Sequence, residues 1–323
     1  MKAIIYTHYG SPDVLQLKEV EKPAPKDDEV LIHVAATALN AGDWHLLRGN
    51  PLALRLFSGF SRPKHQILGA DVAGRVEAVG RNVKQLQPGD EVFGDLSGCG
   101  RGGFAEYVCA PEEALVLKPA SMTFEEAAAV PFAGATALQG LRGRGEIKPG
   151  QQVVIQGAGG GVGMFAVQIA KAFGAEVTAV CSTKNVEMVR SIGADHVLDY
   201  TQEDFITSGQ QYDVILAANG HHSIWAYKRA LCPEGRYVLT GGSDAQIYQA
   251  MVLGPWISMT GKQKMGSIIM RPNRNDLLFL KELLEEGKIV PVIDRCYPFH
   301  ETAEAIRYLE EGHARGKVVI TVE

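Results

Sequence analysis

Residues Val153–Gly163, VVIQGAGGGVG, place an apolar run directly before a turn of glycine and alanine that carries no charge. The apolar residues read as a buried strand, and GVGMFAVQIAKAFG, which follows, reads as a helix closed by Gly174. A second strand, AEVTAVCS, begins about a dozen residues further on. Ala158-x-Gly160-x-x-Gly163 therefore matches the strand–turn–helix fingerprint of a dinucleotide site, with alanine in the first glycine slot. Gly160 lets the backbone approach a pyrophosphate, and Gly163 lets helix and strand pack closely. The free N–H groups at the helix start hold the anion, so Ala158, Gly159, Gly160, Gly161, Val162 and Gly163 are expected to bind the coenzyme.

The second strand bears on which coenzyme. NAD sites end this strand on Asp or Glu, whose carboxylate takes the ribose hydroxyls. Here it ends AVCSTKN: Ser182 and Thr183 offer hydroxyls, Lys184 offers a cation, and the turn holds no carboxylate. A 2′-phosphate is accepted by such a turn and repelled by an acid, so NADPH is expected.

Around this unit, strand and helix signals alternate as NVEMVRSIG, DHVLDY, QYDVILAA, SIWAYKRAL and GRYVLTGG, the rhythm of a parallel sheet with crossover helices. Strand C-termini are where such sheets bind ligands, which adds Asn219 and Thr240 beside the nicotinamide ribose. The first third differs. KAIIYT, EVLIHVAATAL, DVAGRVEAVG, DEVFGDL and GGFAEYVCA are short strands separated by Gly, Pro and Asp turns, the pattern of a barrel-like domain. The chain is α/β and long enough, at 323 residues, for two domains.

Bulk properties exclude several classes. A net charge of -5 argues against a nucleic-acid surface, and no apolar run reaches the roughly 20 residues of a membrane span. Five scattered cysteines, none in C-x-x-C, read as reduced thiols. A cytoplasmic protein making no membrane contact is the expectation.

In order and spacing, YGSPDVLQL, TALNAGDWHLLRG, ILGADVAGRVEAVG, PGDEVFG, GGFAEYV, AAAVPFAGATAL, GAGGGVGMFAVQIAK, GADHVLDY and GHARGKVVI resemble the medium-chain dehydrogenase/reductase superfamily. Within it the chain is similar to the zinc-free quinone oxidoreductase branch, and its tail to the reticulon-4-interacting subgroup. The resemblance implies a doubly wound Rossmann domain, residues 124–270, inserted in a GroES-like catalytic domain built from residues 1–123 and 271–323. It also implies coenzyme contacts at Tyr200, His313, Ala314 and Arg315, and a homodimer paired through the sixth strand of the sheet.

Zinc-using relatives carry Cys where this chain has Asn40, a His-Glu pair at Ala70-Asp71, and Cys near Phe132. None of Asn40, Ala70 and Phe132 is a plausible ligand, so no metal is expected. Hydride from NADPH then needs an acceptor with its own electron sink, a quinone or other α,β-unsaturated carbonyl. By the resemblance, Asn40 would face the nicotinamide as oxyanion donor and Thr136 would pack near it, while His45 could relay a proton. Trp44, Phe57, Phe60 and Trp256 could wall an apolar pocket. The alternatives are a zinc-dependent alcohol dehydrogenase-like enzyme and an NADPH-binding protein without catalysis.

Overall fold

The computed structural model describes residues 1–322. It divides into one unit of Met1–Phe132, Arg271–Glu285 and Pro291–Glu323, and a second of Ala133–Met270 and Glu286–Val290. Both chain ends thus build the first unit.

In the first unit β1 (Lys2–Ile5) and β2 (Gln16–Glu19) form an antiparallel pair. β3 (Glu29–Ala38), β4 (Asp71–Val79), β5 (Glu91–Asp95), β6 (Tyr107–Pro111) and β7 (Leu115–Leu117) supply most of a seven-stranded sheet. β3 pairs with β4 through two register shifts, which bend the strand and coil the sheet. Val30, Ile32, Val34, Val72, Val92 and Leu115 fill its interior. Two helices interrupt it, α1 (Ala41–Arg48) and α2 (Arg55–Ser58). Next comes α3 (Phe124–Ala128), capped by Thr123, whose Oγ1 accepts from the Glu126 N–H at 3.2 Å while the Glu126 carboxylate accepts from the Thr123 N–H at 2.9 Å. α3 packs on β3 and β4, which is why the first unit runs on to Phe132 instead of ending at residue 123.

The second unit opens at Ala133 within α4 (Pro131–Leu138), which continues as a π-helix over Gln139–Arg144. β8 (Gln152–Gln156), α5 (Gly161–Ala172), β9 (Glu176–Cys181), α6 (Val186–Ser191), β10 (His196–Asp199), β11 (Tyr212–Ala217), α7 (Ile224–Ala230), β12 (Leu231–Leu239), α8 (Asp244–Thr260) and β13 (Lys264–Ser267) follow. The sheet is parallel throughout, in the order β10-β9-β8-β11-β12-β13. That is the doubly wound order, and it reverses between β8 and β11, where such sheets bind ligands. β13 lies at the edge in the sixth position. From Ala245 to Thr260, α8 has no charged residue, and Tyr248, Met251, Val252, Trp256 and Met259 stand exposed along one face.

The tail holds α9 (Arg274–Glu285), β14 (Ile293–Pro298), α10 (Thr302–Glu310) and β15 (Lys317–Thr321), the last antiparallel to β3. Glu286–Val290 belong to the second unit because the Gln168 amide on α5 clasps Val290, donating to its carbonyl at 2.9 Å and accepting its N–H at 2.8 Å. The five thiols are unpaired, and burial pushes all of them upward, Cys109 and Cys181 to about 11.

Candidate functional site

At the C-terminal edge of the parallel sheet the loop after β8 takes the conformation that its composition requires. Gly157 has φ +82°, the left-handed geometry that glycine adopts without strain. The turn-forming glycine is thus Gly157, one residue before the alanine of the fingerprint. Gly157 and Ala158 both donate backbone N–H groups to the Val180 carbonyl at 3.0 Å, tying the loop to β9. Gly160 is the N-cap of α5, with extended backbone and no side chain to satisfy the first helical N–H groups. A Cβ at Gly160 would meet only the Gly157 carbonyl oxygen, at 3.6 Å, whereas one at Gly163 would lie 2.1 Å from that oxygen. One glycine leaves a cradle open, and the other is demanded by packing.

Adjacent strands bring Ser182, Thr183, Lys184, Tyr200, Asn219 and Thr240 to the same edge. Asp199 of β10 pairs with Cys181 of β9, so Ser182, Thr183 and Lys184 lie beside Tyr200. Lys184 and Tyr200 are exposed. Asn219, after β11, lies 3.0 Å from where a Gly157 Cβ would stand, and the Thr240 N–H donates to the Ala217 carbonyl at 2.9 Å. Thr136 is buried within α4.

The turn after β9 is not free of acid in space. The Thr183 hydroxyl donates to Asp199 Oδ2 at 2.5 Å, and Thr201 adds N–H and hydroxyl bonds to Oδ1 at 3.0 and 2.8 Å. These bonds, the Thr183 one foremost, hold the Asp199 carboxyl below its ordinary range. A carboxylate that the linear reading of AVCSTKN excluded is therefore supplied by the neighbouring strand, 16 residues from Thr183.

In the first unit a buried polar network centres on Asn40. Its Nδ2 donates to Asp71 Oδ2 at 2.9 Å and to the Ala38 carbonyl at 3.4 Å, and its Oδ1 accepts from Lys317 Nζ at 2.6 Å. Lys317 Nζ also reaches Asp71 Oδ2 at 3.1 Å, with the two side chains 2% and 0% exposed. Asp71 Oδ1 accepts the Phe132 N–H at 2.7 Å. Asp43 accepts the Asn40 backbone N–H at 2.9 Å and pairs with Arg101 at 3.2 Å. Burial raises the Asp43 carboxyl, opposed by Arg101. Arg101 holds this position with φ +67°, a strained backbone for a side-chain-bearing residue.

The expected role of Asn40 is corrected by this geometry. Both amide N–H groups point at protein acceptors, so Asn40 orients Asp71 and Lys317 instead of offering a donor to an oxyanion. His45 donates from Nδ1 to the Asn50 carbonyl at 2.9 Å, stacks on Trp44 with ring centroids 3.6 Å apart, and keeps Nε2 for another partner. The tail residues His313, Ala314 and Arg315 belong to the first unit. The Arg315 N–H is bound to Asp294 at 3.1 Å and Ala314 packs against the core around Ile4 and Leu39. Phe57 and Phe60 do not wall a pocket; they stand exposed. The sequence reading also missed Asp71 and Lys317 as partners of Asn40, and the Gln156 amide, which accepts the Tyr227 hydroxyl at 2.6 Å and meets His221 Nδ1 at 3.0 Å.

Asp95 stands opposite Asp71 across β4 and β5. Its Oδ1 accepts the Ser97 N–H at 2.7 Å, while Oδ2 is buried without a partner among the described residues. Burial, with repulsion from Asp71, pushes its carboxyl from 3.8 to about 6. The folded chain therefore keeps a proton that the unfolded chain releases, and stability falls as pH rises between those values. Asp95→Asn is expected to remove this loss, gaining up to about 3 kcal/mol over the parent above pH 6 and little below pH 4. Urea denaturation of both proteins at several pH values measures it. An unchanged difference across the range would refute the assignment.

Two family descriptions match the chain: "Alcohol dehydrogenase GroES-like domain" over residues 26–120 and "Zinc-binding dehydrogenase" over residues 192–320. A chloroplast envelope quinone oxidoreductase homolog of Arabidopsis thaliana is 35% identical over 99% of this chain and 98% of its own length. From the same plant, a chloroplastic NADPH-dependent alkenal/one oxidoreductase is 36% identical over 99% and 79%. The mitochondrial NAD(P)H oxidoreductase RTN4IP1 of Bos taurus is 32% identical over 100% and 89%. Among solved structures, the quinone oxidoreductase of Coxiella burnetii superposes with a TM-score of 0.88 at 30% identity, covering 100% of this chain and 99% of that one. The chain belongs to the medium-chain dehydrogenase/reductase superfamily, with its GroES-like and Rossmann-type parts, and is an oxidoreductase that uses a nicotinamide coenzyme. The cytoplasmic expectation is overturned, because these plant and animal relatives are chloroplast or mitochondrial proteins. Free thiols suit the reducing interior of an organelle as well as the cytosol, and never discriminated between them.

Proposed function

We propose that this protein transfers hydride from NADPH to quinones or other α,β-unsaturated carbonyl acceptors without a metal ion. The observation that carries the reading is the Lys317 ammonium held between Asn40 and Asp71. By the family resemblance, zinc-using members place ligands at Asn40, Ala70-Asp71 and Phe132. Here the amide oxygen and the carboxylate are already bound to a cation, and Ala70 and Phe132 carry no side-chain donor. These residues do not fit a zinc ion, and the description of one matching family as zinc-binding is not carried over to this chain.

The residues of the glycine loop fit a nicotinamide dinucleotide. The open cradle at Gly160 and the uncapped N–H groups of α5 would take the pyrophosphate. Ser182, Thr183, Lys184 and Tyr200 would meet the 2′-phosphate, and Asn219 and Thr240 would flank the ribose. His313, Ala314 and Arg315 are proposed contacts from the tail. When bound, the coenzyme supplies the hydride. The acceptor takes that hydride and one proton, and its conjugated carbonyl spreads the charge that a metal would otherwise hold. Thr136 would line the reacting edge, and His45, through Nε2, would pass the proton.

Stopped-flow oxidation of NADPH by phenanthrenequinone, with chelator-treated protein, tests this directly. Turnover unaffected by chelation is the expected result. No turnover with any quinone or enone, or recovery only on adding a divalent ion, would remove the proposal. Lys184→Glu should lower NADPH affinity at least about tenfold and spare NADH; equal effects on both would assign the protein to NAD(H), with Asp199 as the ribose ligand.

The assembly proposed is a homodimer in which a second copy covers the charge-free face of α8 beside the edge strand β13. Trp256→Glu should convert it to a monomer in sedimentation velocity; a parent protein already monomeric at micromolar concentration speaks against it.

A further inference from the structure

Between Asp43 and Asp71 the chain carries no acidic residue, yet it has Arg48, Arg55, Arg62 and Lys64, within a protein whose net charge is -5. The middle of this stretch is α2 and the turns on either side of it. Leu52, Leu56, Phe57 and Phe60 are 69%, 68%, 79% and 77% exposed. Four large apolar side chains on nine residues of surface are an exposure that water does not favour.

The projection is built and held. The Tyr9 hydroxyl donates to the Gly59 carbonyl at 2.5 Å and meets Ser58 Oγ at 3.0 Å. The Arg55 guanidinium lies over the Tyr9 ring, 4.5 Å from its centroid, and donates from Nε to the Gly49 carbonyl at 3.0 Å. Gly59, at φ +117°, reverses the chain so that the Lys64 N–H reaches the Ser58 carbonyl at 2.7 Å. A Cβ at Gly59 would stand 2.0 Å from the Arg62 carbonyl oxygen, so only glycine makes this reversal. The polar groups of the stretch are spent on anchoring it, and its apolar ends point away from the anchor. Arg48 is neutralised by Glu310 at 2.7 Å and Arg55 is committed to Tyr9, whereas Arg62 and Lys64 are exposed and make no ion pair among the described residues.

From this we infer that the 52–64 projection docks on an anionic lipid bilayer, with Leu52, Leu56, Phe57 and Phe60 entering the headgroup boundary and Arg62 and Lys64 meeting lipid phosphates. The combination of shallow apolar insertion and flanking basic charge is what holds proteins at an interface without spanning it. The charge pattern selects this occupant. A two-fold contact between copies would set this basic, acid-free patch against the same patch of a second copy, while the negative remainder of the chain turns away from an anionic surface and orients this patch toward it. The lack of a spanning helix, which led to the expectation of no membrane contact, does not bear on such docking.

The inference is independent of the proposed reaction, because it is read without coenzyme or acceptor. Flotation of the full chain with vesicles of phosphatidylcholine alone, and with roughly a third phosphatidylglycerol, is the test. The chain should float with the anionic vesicles at least about tenfold more than with the neutral ones, and less at high salt. Leu56→Ser/Phe57→Ser should lower binding at least about tenfold at every salt concentration, and Arg62→Gln/Lys64→Gln should lower it and remove the salt dependence. Unchanged melting temperatures show that both variants remain folded. A parent chain that floats with neither vesicle, or variants that bind as the parent does, would overturn the inference.

Discussion

Gly160→Ser will keep the fold and lose the coenzyme. Gly160 is the N-cap of α5 with φ -92° and ψ 173°, a conformation that serine adopts freely. Serine is a favoured N-cap, so stability should hold or rise by up to about 1 kcal/mol. Its hydroxyl would accept the very N–H groups that the pyrophosphate needs, and its Cβ would occupy the cradle. Affinity for NADPH should fall at least about thirtyfold, equivalent to about 2 kcal/mol. Gly163→Ala should behave in the opposite way. Its Cβ would meet backbone on two sides, the Gly157 oxygen at 2.1 Å and the Ala158 Cα at 2.7 Å. That overpacking costs about 1–3 kcal/mol and outweighs the higher helix propensity of alanine. Thermal melts and fluorescence titration separate the two variants. If Gly160→Ser binds NADPH like the parent, the loop is only a structural turn.

The second large effect lies in the first unit. Lys317→Met should destabilise the protein by about 3–5 kcal/mol, because it leaves the Asp71 carboxylate buried with no cation beside it. A loss of that size is a large share of a typical domain's total stability. Lys317→Arg keeps the charge but brings a planar fork to a site shaped for a compact ammonium, and should recover only part of the loss. Equilibrium denaturation with urea measures both. A Lys317→Met protein as stable as the parent would mean that the Lys317–Asp71 contact contributes nothing to folding.

What could be read from the amino-acid order was what is local. The Val153–Gly163 turn and the alternation of strands with helices each lie within a few residues, so periodicity and residue type expose them. The contacts that decide the chemistry are not local. Asn40 meets Asp71 across 31 residues and Lys317 across 277. No spacing rule predicts that an amide which the family resemblance makes an oxyanion donor has its Nδ2 engaged by Asp71 and the Ala38 carbonyl. The acid beside the turn after β9 was hidden for the same reason: none stands in the turn along the chain, but β10 lies alongside and delivers Asp199. Within the glycine fingerprint, Gly160 and Gly163 lie where the spacing puts them, but a pattern cannot say which of several adjacent glycines takes the positive φ, and here it is Gly157.

The raised thiols of half-buried Cys109 and buried Cys181 have a consequence for the protein's own survival. Quinones and enones, the acceptors proposed above, are soft electrophiles that alkylate thiolates by conjugate addition, so a protein that reduces them would be exposed to inactivation by its own substrates. With the Cys109 and Cys181 thiols held near 11, only about one in ten thousand is ionised at pH 7. At these two positions the nucleophile that such compounds attack is almost entirely withheld, and both thiols are left chemically quiet.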